Sequence, residues 1–277
     1  MVSDRDANSL GEYLRARRDA VTPDQVGLPV QAKRRAPGLR REEVAMLAGI
    51  SSDYYLRLER GRDRNPSPQV LQALARVLRL DEVESEYLLG FTSPRPRRPR
   101  RRRTEPVSSR LHHLLAAVGV PAFVESRYFD VLASNPLAMA LSPRLRPGEN
   151  RLRSLLLDPE EREFHSDWEA AVADSVAWFR QAIGTDVEDA RAVELVGELS
   201  LASARFRSLW ARHDVRRLEG GTAVVEHPLV GPLRLHRDKL PVGEHLLVLY
   251  YPSERAEDAE KLRLLAALSA PGEVDTG

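Results

Sequence analysis

The stretch REEVAMLAGISSDYYLRLERGR, Arg41–Arg62, admits few folds. Apolar residues at Val44, Ala48, Ile50, Tyr55 and Leu58 follow helical spacing, yet the pattern breaks at Gly49 and resumes within three residues. A single amphipathic helix has no reason to break there. Two short helices crossing steeply do, because a three- or four-residue turn joins them and a small residue must sit where they cross. Ala45 supplies the small residue, and Gly49 supplies a backbone conformation that costs a side-chain-bearing residue more. With Ile50, Tyr55 and Leu58 turned inward, the second helix keeps Ser51, Ser52, Asp53, Leu56, Arg57 and Arg60 outward. This is a helix-turn-helix whose outer face is shaped for the DNA major groove.

Charge supports that reading. The whole chain carries a formal +1, but Met1–Thr104 holds 22 Lys+Arg against 14 Asp+Glu, and Glu105–Gly277 holds 20 against 27. A +8 half beside a −7 half points to one polyanion-binding part and one with another task. Between them lies SPRPRRPRRRRTEP, Ser93–Pro106, where four prolines and seven arginines oppose a helix and favour an extended basic tether. At 277 residues the chain suits two domains, expected at 1–92 and 107–277 with the linker at 93–106. With no cysteine, disulfides and thiolate metal sites are excluded. No apolar run long enough to span a bilayer and no leader-like N-terminus are visible, so a cytoplasmic protein without membrane partners is expected.

Before the linker the pattern is helical throughout. Leu10, Tyr13 and Leu14, with Arg17 and Arg18, mark a first helix; Ser67-Pro68 opens another through Val70, Leu71, Leu74, Val77 and Leu78; Asp81 caps a last one around Tyr87 and Leu88. The expectation is an all-α domain. After the linker the texture changes. A helix over Ser108–Val118 precedes PAFVESRYFDVLAS, a strand pair turning near Ser126, and a short helix follows Asn135. One long helix is expected from Asp158 to Ile183, with more helix to Arg212 broken near Ser200. LEGGT reads as a hairpin turn, and TAVVEHP, GPLRLHRDKL and EHLLVLYYP as strands before a final helix at about Ala256–Leu268. Helices on one side of an antiparallel sheet make this an α+β domain.

Two resemblances sharpen the picture. LERGR, Leu58–Arg62, is similar to the end of the recognition helix in the phage-repressor-like (Xre) family, over Leu10 to Phe91. RRAPGLRREEVAMLAGIS, YYLRLERGR and VLQALARVLRL, then PAFVESRYFDVLASNPLA, DWEAAV, ELVGELSLASARFRSLWARHDV and EHPLVGPLRL, resemble in order the MmyB-like actinobacterial regulators. That resemblance implies a PAS-like C-terminal domain binding fatty-acid-like molecules, joined to the DNA-binding head. Two positions depart from it: Ser134 replaces an aromatic, and Glu226 replaces a histidine before His227.

Base edges are expected to meet Ser52, Asp53 and Arg57, and phosphates to meet Arg40, Arg41 and the Lys33-Arg34-Arg35 cluster, with Ser51, Tyr54 and Arg60 also on the DNA-binding surface. A homodimer on double-stranded operator DNA is expected. For the ligand, Phe123, Leu132, Trp168, Phe179, Phe206 and Trp210 are the candidate wall of an apolar cavity, with Tyr128, Arg205, Arg127 and Arg207 as the polar groups available to a carboxylate. A dimerisation or protein-docking module without ligand is the alternative for this half, and an enzyme a third reading. Against catalysis stand the missing nucleotide and nucleophile motifs; the seven histidines have no metal-binding spacing, and no cofactor is implied. His227 is expected to end a strand with its ring satisfied locally.

Overall fold

A computed structural model describes residues 4–29, 37–63, 65–92, 106–185, 189–217 and 220–269. The N-terminal part contains α1 (Asp4–Ala20), α2 (Arg41–Ala48), α3 (Ser52–Glu59), α4 (Pro68–Val77) and α5 (Glu82–Gly90). Each boundary has a local cause. Gly49 adopts a left-handed φ of 69° and ends α2, and the Ile50 N–H returns to the Ala45 carbonyl at 3.0 Å. Ser51 then caps α3 by accepting the Tyr54 N–H at 3.1 Å, and Ser67 caps α4 with Pro68 at its first turn. Asp81 and Glu84 form a reciprocal capping box on α5. Tyr13, Leu14, Val44, Tyr55, Leu58, Leu71, Leu74 and Leu88 are fully buried in one core. Glycine is required at Gly11, where a Cβ would stand 2.3 Å from the Glu59 carbonyl oxygen, so α1 lies directly on α3.

The C-terminal part runs α6 (Ser109–Ala117), β1 (Ala122–Glu125), β2 (Val131–Ser134), α7 (Pro136–Leu141), α8 (Arg151–Leu157), α9 (Pro159–Phe164), α10 (Trp168–Ile183), α11 (Ala190–Ala202), α12 (Ala204–Ala211), β3 (Gly221–His227), β4 (Gly231–Val242), β5 (His245–Pro252) and α13 (Ala256–Ser269). The strands form one antiparallel sheet in the order β2-β1-β5-β4-β3. The strand pair around Ser126 is locked to α7 by buried Asn135. Its carbonyl accepts the Ala138 and Ala122 N–H groups at 2.8 and 3.1 Å, and its amide donates to the Val120 carbonyl at 2.8 Å. An N-cap and a sheet connection are thus made by one side chain.

Three expectations need correction. Helices cover both faces of the sheet: Phe123, Val131, Val225, Leu233, Leu235 and Val248 pack with α7 and α13, whereas Ala122, Val124, Ala133 and Leu247 pack with α6. A strand as short as β1, buried along its whole length, has no alternation to reveal which face meets what. The long helix from Asp158 divides into α9 and α10, because His165 forms an antiparallel bridge with Val225 and the Ser166 N–H and hydroxyl both donate to the Val224 carbonyl. The edge of β3 takes backbone bonds that a continuous helix would have kept. Among the described residues, which leave out Leu218 and Glu219, LEGGT joins no two strands: Gly221 opens β3, and 214–217 form no strand, with Val215 buried in the core of the helix-turn-helix part.

Compactness divides the described residues into two units. One comprises those of Met1–Arg98 with Val176–Ser200 and Ala204–Arg217; the other comprises those of Pro99–Ser175, Leu201–Ser203 and Leu218–Gly277.

Candidate nucleic-acid interface and ligand-binding domain

The second helix of the helix-turn-helix is α3. Tyr55 and Leu58 are fully buried, and Ser51, Ser52, Asp53, Arg57 and Arg60 are exposed, with Tyr54 and Leu56 half-buried beside them. The Arg57 guanidinium lies 5.3 Å from the centroid of the Tyr54 ring, a stacking that holds its donors together as a fork. Sequence reasoning missed what fixes this helix. Glu59, its side chain only 2% exposed, accepts from Arg18 Nε at 2.6 Å and from Arg41 Nε at 2.5 Å, and Arg18 also donates to the Leu39 carbonyl at 2.8 Å. One carboxylate therefore ties α3 to α1 and to the first residue of α2. The signal was an acid directly after a core leucine, which surface charge patterning disguised. Arg41 keeps a 42% exposed side chain despite this bond, and Arg40 is exposed. Lys33, Arg34 and Arg35 lie outside the described residues.

The expected ligand wall falls in both compact units. Phe123, Tyr128, Leu132 and Trp168 belong to the sheet-bearing unit, and Phe179, Arg205, Phe206 and Trp210 to the other. Phe179 and Phe206 lie 5.8 and 5.4 Å from Trp210, whose ring carries the Arg180 guanidinium at 3.8 Å. Phe123 stacks on Tyr250 at 6.3 Å, Trp168 donates its indole N–H to the Leu155 carbonyl at 2.7 Å, and the Tyr128 hydroxyl accepts from Arg127 at 2.8 Å. Leu132 and Arg205 are half-buried. At the two departures noted above, the Ser134 hydroxyl donates to the Leu145 carbonyl, and Glu226 is exposed. His227 ends β3 as expected. Its Nδ1 accepts the Leu229 N–H at 3.2 Å, which leaves Nε2 to donate to the Ala140 carbonyl at 3.0 Å.

A second feature was not legible in sequence. Glu125 at the end of β1 is fully buried and accepts from Arg151 of α8 at 2.8 Å and from Lys239 of β4 at 2.7 Å. Arg151 and Lys239 each lie 5.0 Å from an aromatic ring, of Phe123 and Phe129 respectively. Burial alone would raise the Glu125 carboxyl, but Lys239 and Arg151 outweigh it and hold the group below its ordinary range. Burial pushes the Lys239 ammonium down to about 7 against the opposing pull of Glu125. Among the described residues no three His, Asp or Glu side chains are grouped to hold a metal ion, and no helix is long and apolar enough to cross a membrane.

Residues 9–88, from the buried face of α1 to α5, match the model of a helix-turn-helix domain. Residues 107–265, more than half of the chain, match that of the MmyB-like transcription regulator ligand binding domain. The chain belongs to the MmyB-like transcription regulators. A comparison with curated proteins gives no match. Membership joins a DNA-binding head to a ligand-binding domain in one transcription regulator, from families that are generally non-enzymatic. The ligand-binding match of this MmyB-like regulator includes Val176–Ser200 and Ala204–Arg217, whose described residues pack in the same compact unit as the helix-turn-helix.

Proposed function

We propose that this protein is a cytoplasmic, ligand-responsive regulator that binds operator DNA as a homodimer and senses a fatty-acid-like or other small apolar molecule. The carrying observation is the exposed face of α3, held rigid from behind by Glu59. In this reading Ser51, Ser52, Asp53, Tyr54, Arg57 and Arg60 enter the major groove. Arg40 and Arg41, with Lys33, Arg34 and Arg35, neutralise phosphates. A head of this size gains modest DNA contact alone, so two copies occupy half-sites centred about 34 Å apart, or a multiple of that. Light scattering on the full chain with and without operator DNA is expected to give a dimer on DNA; a strict monomer in both states refutes that part.

For the ligand, the reading rests on the family's ligand-binding domain, whose resemblance implies a PAS-like fold, and on the number of large apolar side chains in this half. Of the residues expected to wall a cavity, Phe123, Tyr128, Leu132 and Trp168, which share the sheet-bearing unit, are the proposed contacts. A chain of about 14 methylenes gains up to about 0.8 kcal/mol for each one buried, enough to offset the ordering of a flexible lipid. It alters DNA binding only if its affinity differs between the DNA-competent and incompetent arrangements. Organic extraction of the purified protein followed by mass spectrometry is expected to release a lipid, and myristate added to the stripped protein to shift operator affinity. Absence of bound lipid, of myristate binding and of any shift leaves a dimerisation or protein-docking role for this domain in its place.

A further inference from the structure

The helix-turn-helix domain is not closed by its own five helices. Its α1/α5 face is covered by described residues of Val176–Ser200 and Ala204–Arg217, which lie inside the sequence matched as ligand-binding domain. Arg17 of α1 is the hub, its side chain 10% exposed. Its guanidinium donates to Glu84 of α5 at 2.6 Å, to Asp214 at 2.5 Å and to the Arg212 carbonyl at 2.7 Å. An apolar seam runs beside this hub. Val215 is buried in the helix-turn-helix core, and the His213 ring stands edge-on to Tyr13 at 6.4 Å, with Tyr87 and Phe91 completing the cluster. Burial, and then the neighbouring Arg180 and Arg17, push the His213 imidazole down to about 3, so it sits there neutral and adds no charge against Arg17. Two outer contacts finish the seam: the Thr185 hydroxyl donates to the Gly90 carbonyl at 3.3 Å, and Arg217 pairs with Glu86 at 3.0 Å. None of this covers α3, whose Ser51, Ser52, Asp53, Arg57 and Arg60 remain exposed.

We infer that Val176–Ser200 with Ala204–Arg217 is a clasp, a built-in partner of the helix-turn-helix domain that docks on its α1/α5 face through Arg17 and sets how firmly the head holds DNA. The route is covalent as well as packed. The helix α10 is continuous from Trp168 to Ile183, yet its residues up to Ser175 belong to the sheet-bearing unit and those from Val176 to the head's unit. Two separately folded domains joined by a tether alone would lack such a connection. The inference rests on the regulator reading for the effect on DNA, but not for the docking itself.

The chain has no cysteine, which makes cross-linking clean. A Cβ at Gly90 would lie 3.8 and 4.0 Å from the two terminal atoms of Thr185. The Thr185 Cβ itself lies beyond 4 Å, at most about one bond length past those atoms, so a cysteine pair closes there with a small backbone adjustment, disulfide Cβ atoms standing about 3.5–4.5 Å apart. Full-length Gly90→Cys/Thr185→Cys, oxidised at low concentration, is expected to form an intramolecular bond. No bond, or one only between two copies, overturns the docking. Asp214→Asn in the full chain is expected to weaken binding to a site selected from a random DNA library at least five-fold with unchanged base preference, and the oxidised cysteine pair is expected to restore it. Arg217→Ala, at an exposed pair, is the milder variant should Asp214→Asn not fold, with an expected two- to three-fold loss. Wild-type affinity in these variants, or no rescue by the disulfide, overturns the clasp. Should the unmodified chain bind no DNA at all, the regulator reading fails instead, and the cross-link still decides the docking.

Discussion

Replacing Glu125 with alanine is expected to cost the C-terminal domain about 3–5 kcal/mol, a large share of the roughly 5–15 kcal/mol that holds a domain together. The carboxylate is fully buried and is the counter-charge of both Arg151 and Lys239. Without it, Lys239 has an escape: its pKa is already lowered to about 7 by burial, so it sheds its proton. Arg151 has none, since a guanidinium stays charged at any accessible pH, and the penalty falls chiefly there. The linkage has a definite sign. Between about pH 7 and the ordinary lysine value the unfolded chain binds a proton that the folded domain does not, so Lys239 makes stability rise with pH across that window. Glu125, held below its ordinary value, contributes stability that is present above that value and lost as pH falls through the folded pKa. Urea unfolding followed by circular dichroism is the measurement. Glu125→Ala combined with Arg151→Met and Lys239→Met is expected to recover most of the loss, because an apolar triad needs no counter-charge. A loss below about 1 kcal/mol for Glu125→Ala alone refutes the account.

The second large effect concerns DNA. Arg57→Ala is expected to weaken operator binding by about 1–3 kcal/mol, roughly 5- to 150-fold, and to relax the preference at the base pair it reads. Arg57 is exposed on α3 and stacked on Tyr54, so the alanine removes a fork already oriented rather than a floppy charge. Arg40→Ala, an exposed cation just before α2, is expected to weaken binding evenly over all sites and to reduce the salt dependence by about one released counterion. Binding both variants to a library of sites separates the two roles. Matching profiles for the two would sink the assignment of base and phosphate contacts.

What the sequence by itself determined is local. Gly49 at a left-handed turn, the caps at Ser51, Ser67, Asp81 and Asn135, and the strand pair turning at Ser126 each depend on atoms a few residues apart. Such features are written in short windows. The inward set of α3 was legible for the same reason: Tyr55 and Leu58 alternate with polar positions at helical spacing. What only the tertiary structure decided spans long separations. Lys239 meets Glu125 across 114 residues, and Arg17 meets Asp214 across 197. Periodicity carries no record of such a pairing, and a charged residue in a strand or helix reads as solvent-facing until its partner is placed. The same limit explains the aromatic set. Phe123 and Trp168 share the apolar character of Phe179 and Trp210, yet the first two fall in one compact unit and the last two in the other. Hydrophobicity says that a side chain leaves water; which core receives it is settled by the strand order and by where a continuous helix, α10, passes from one unit to the other.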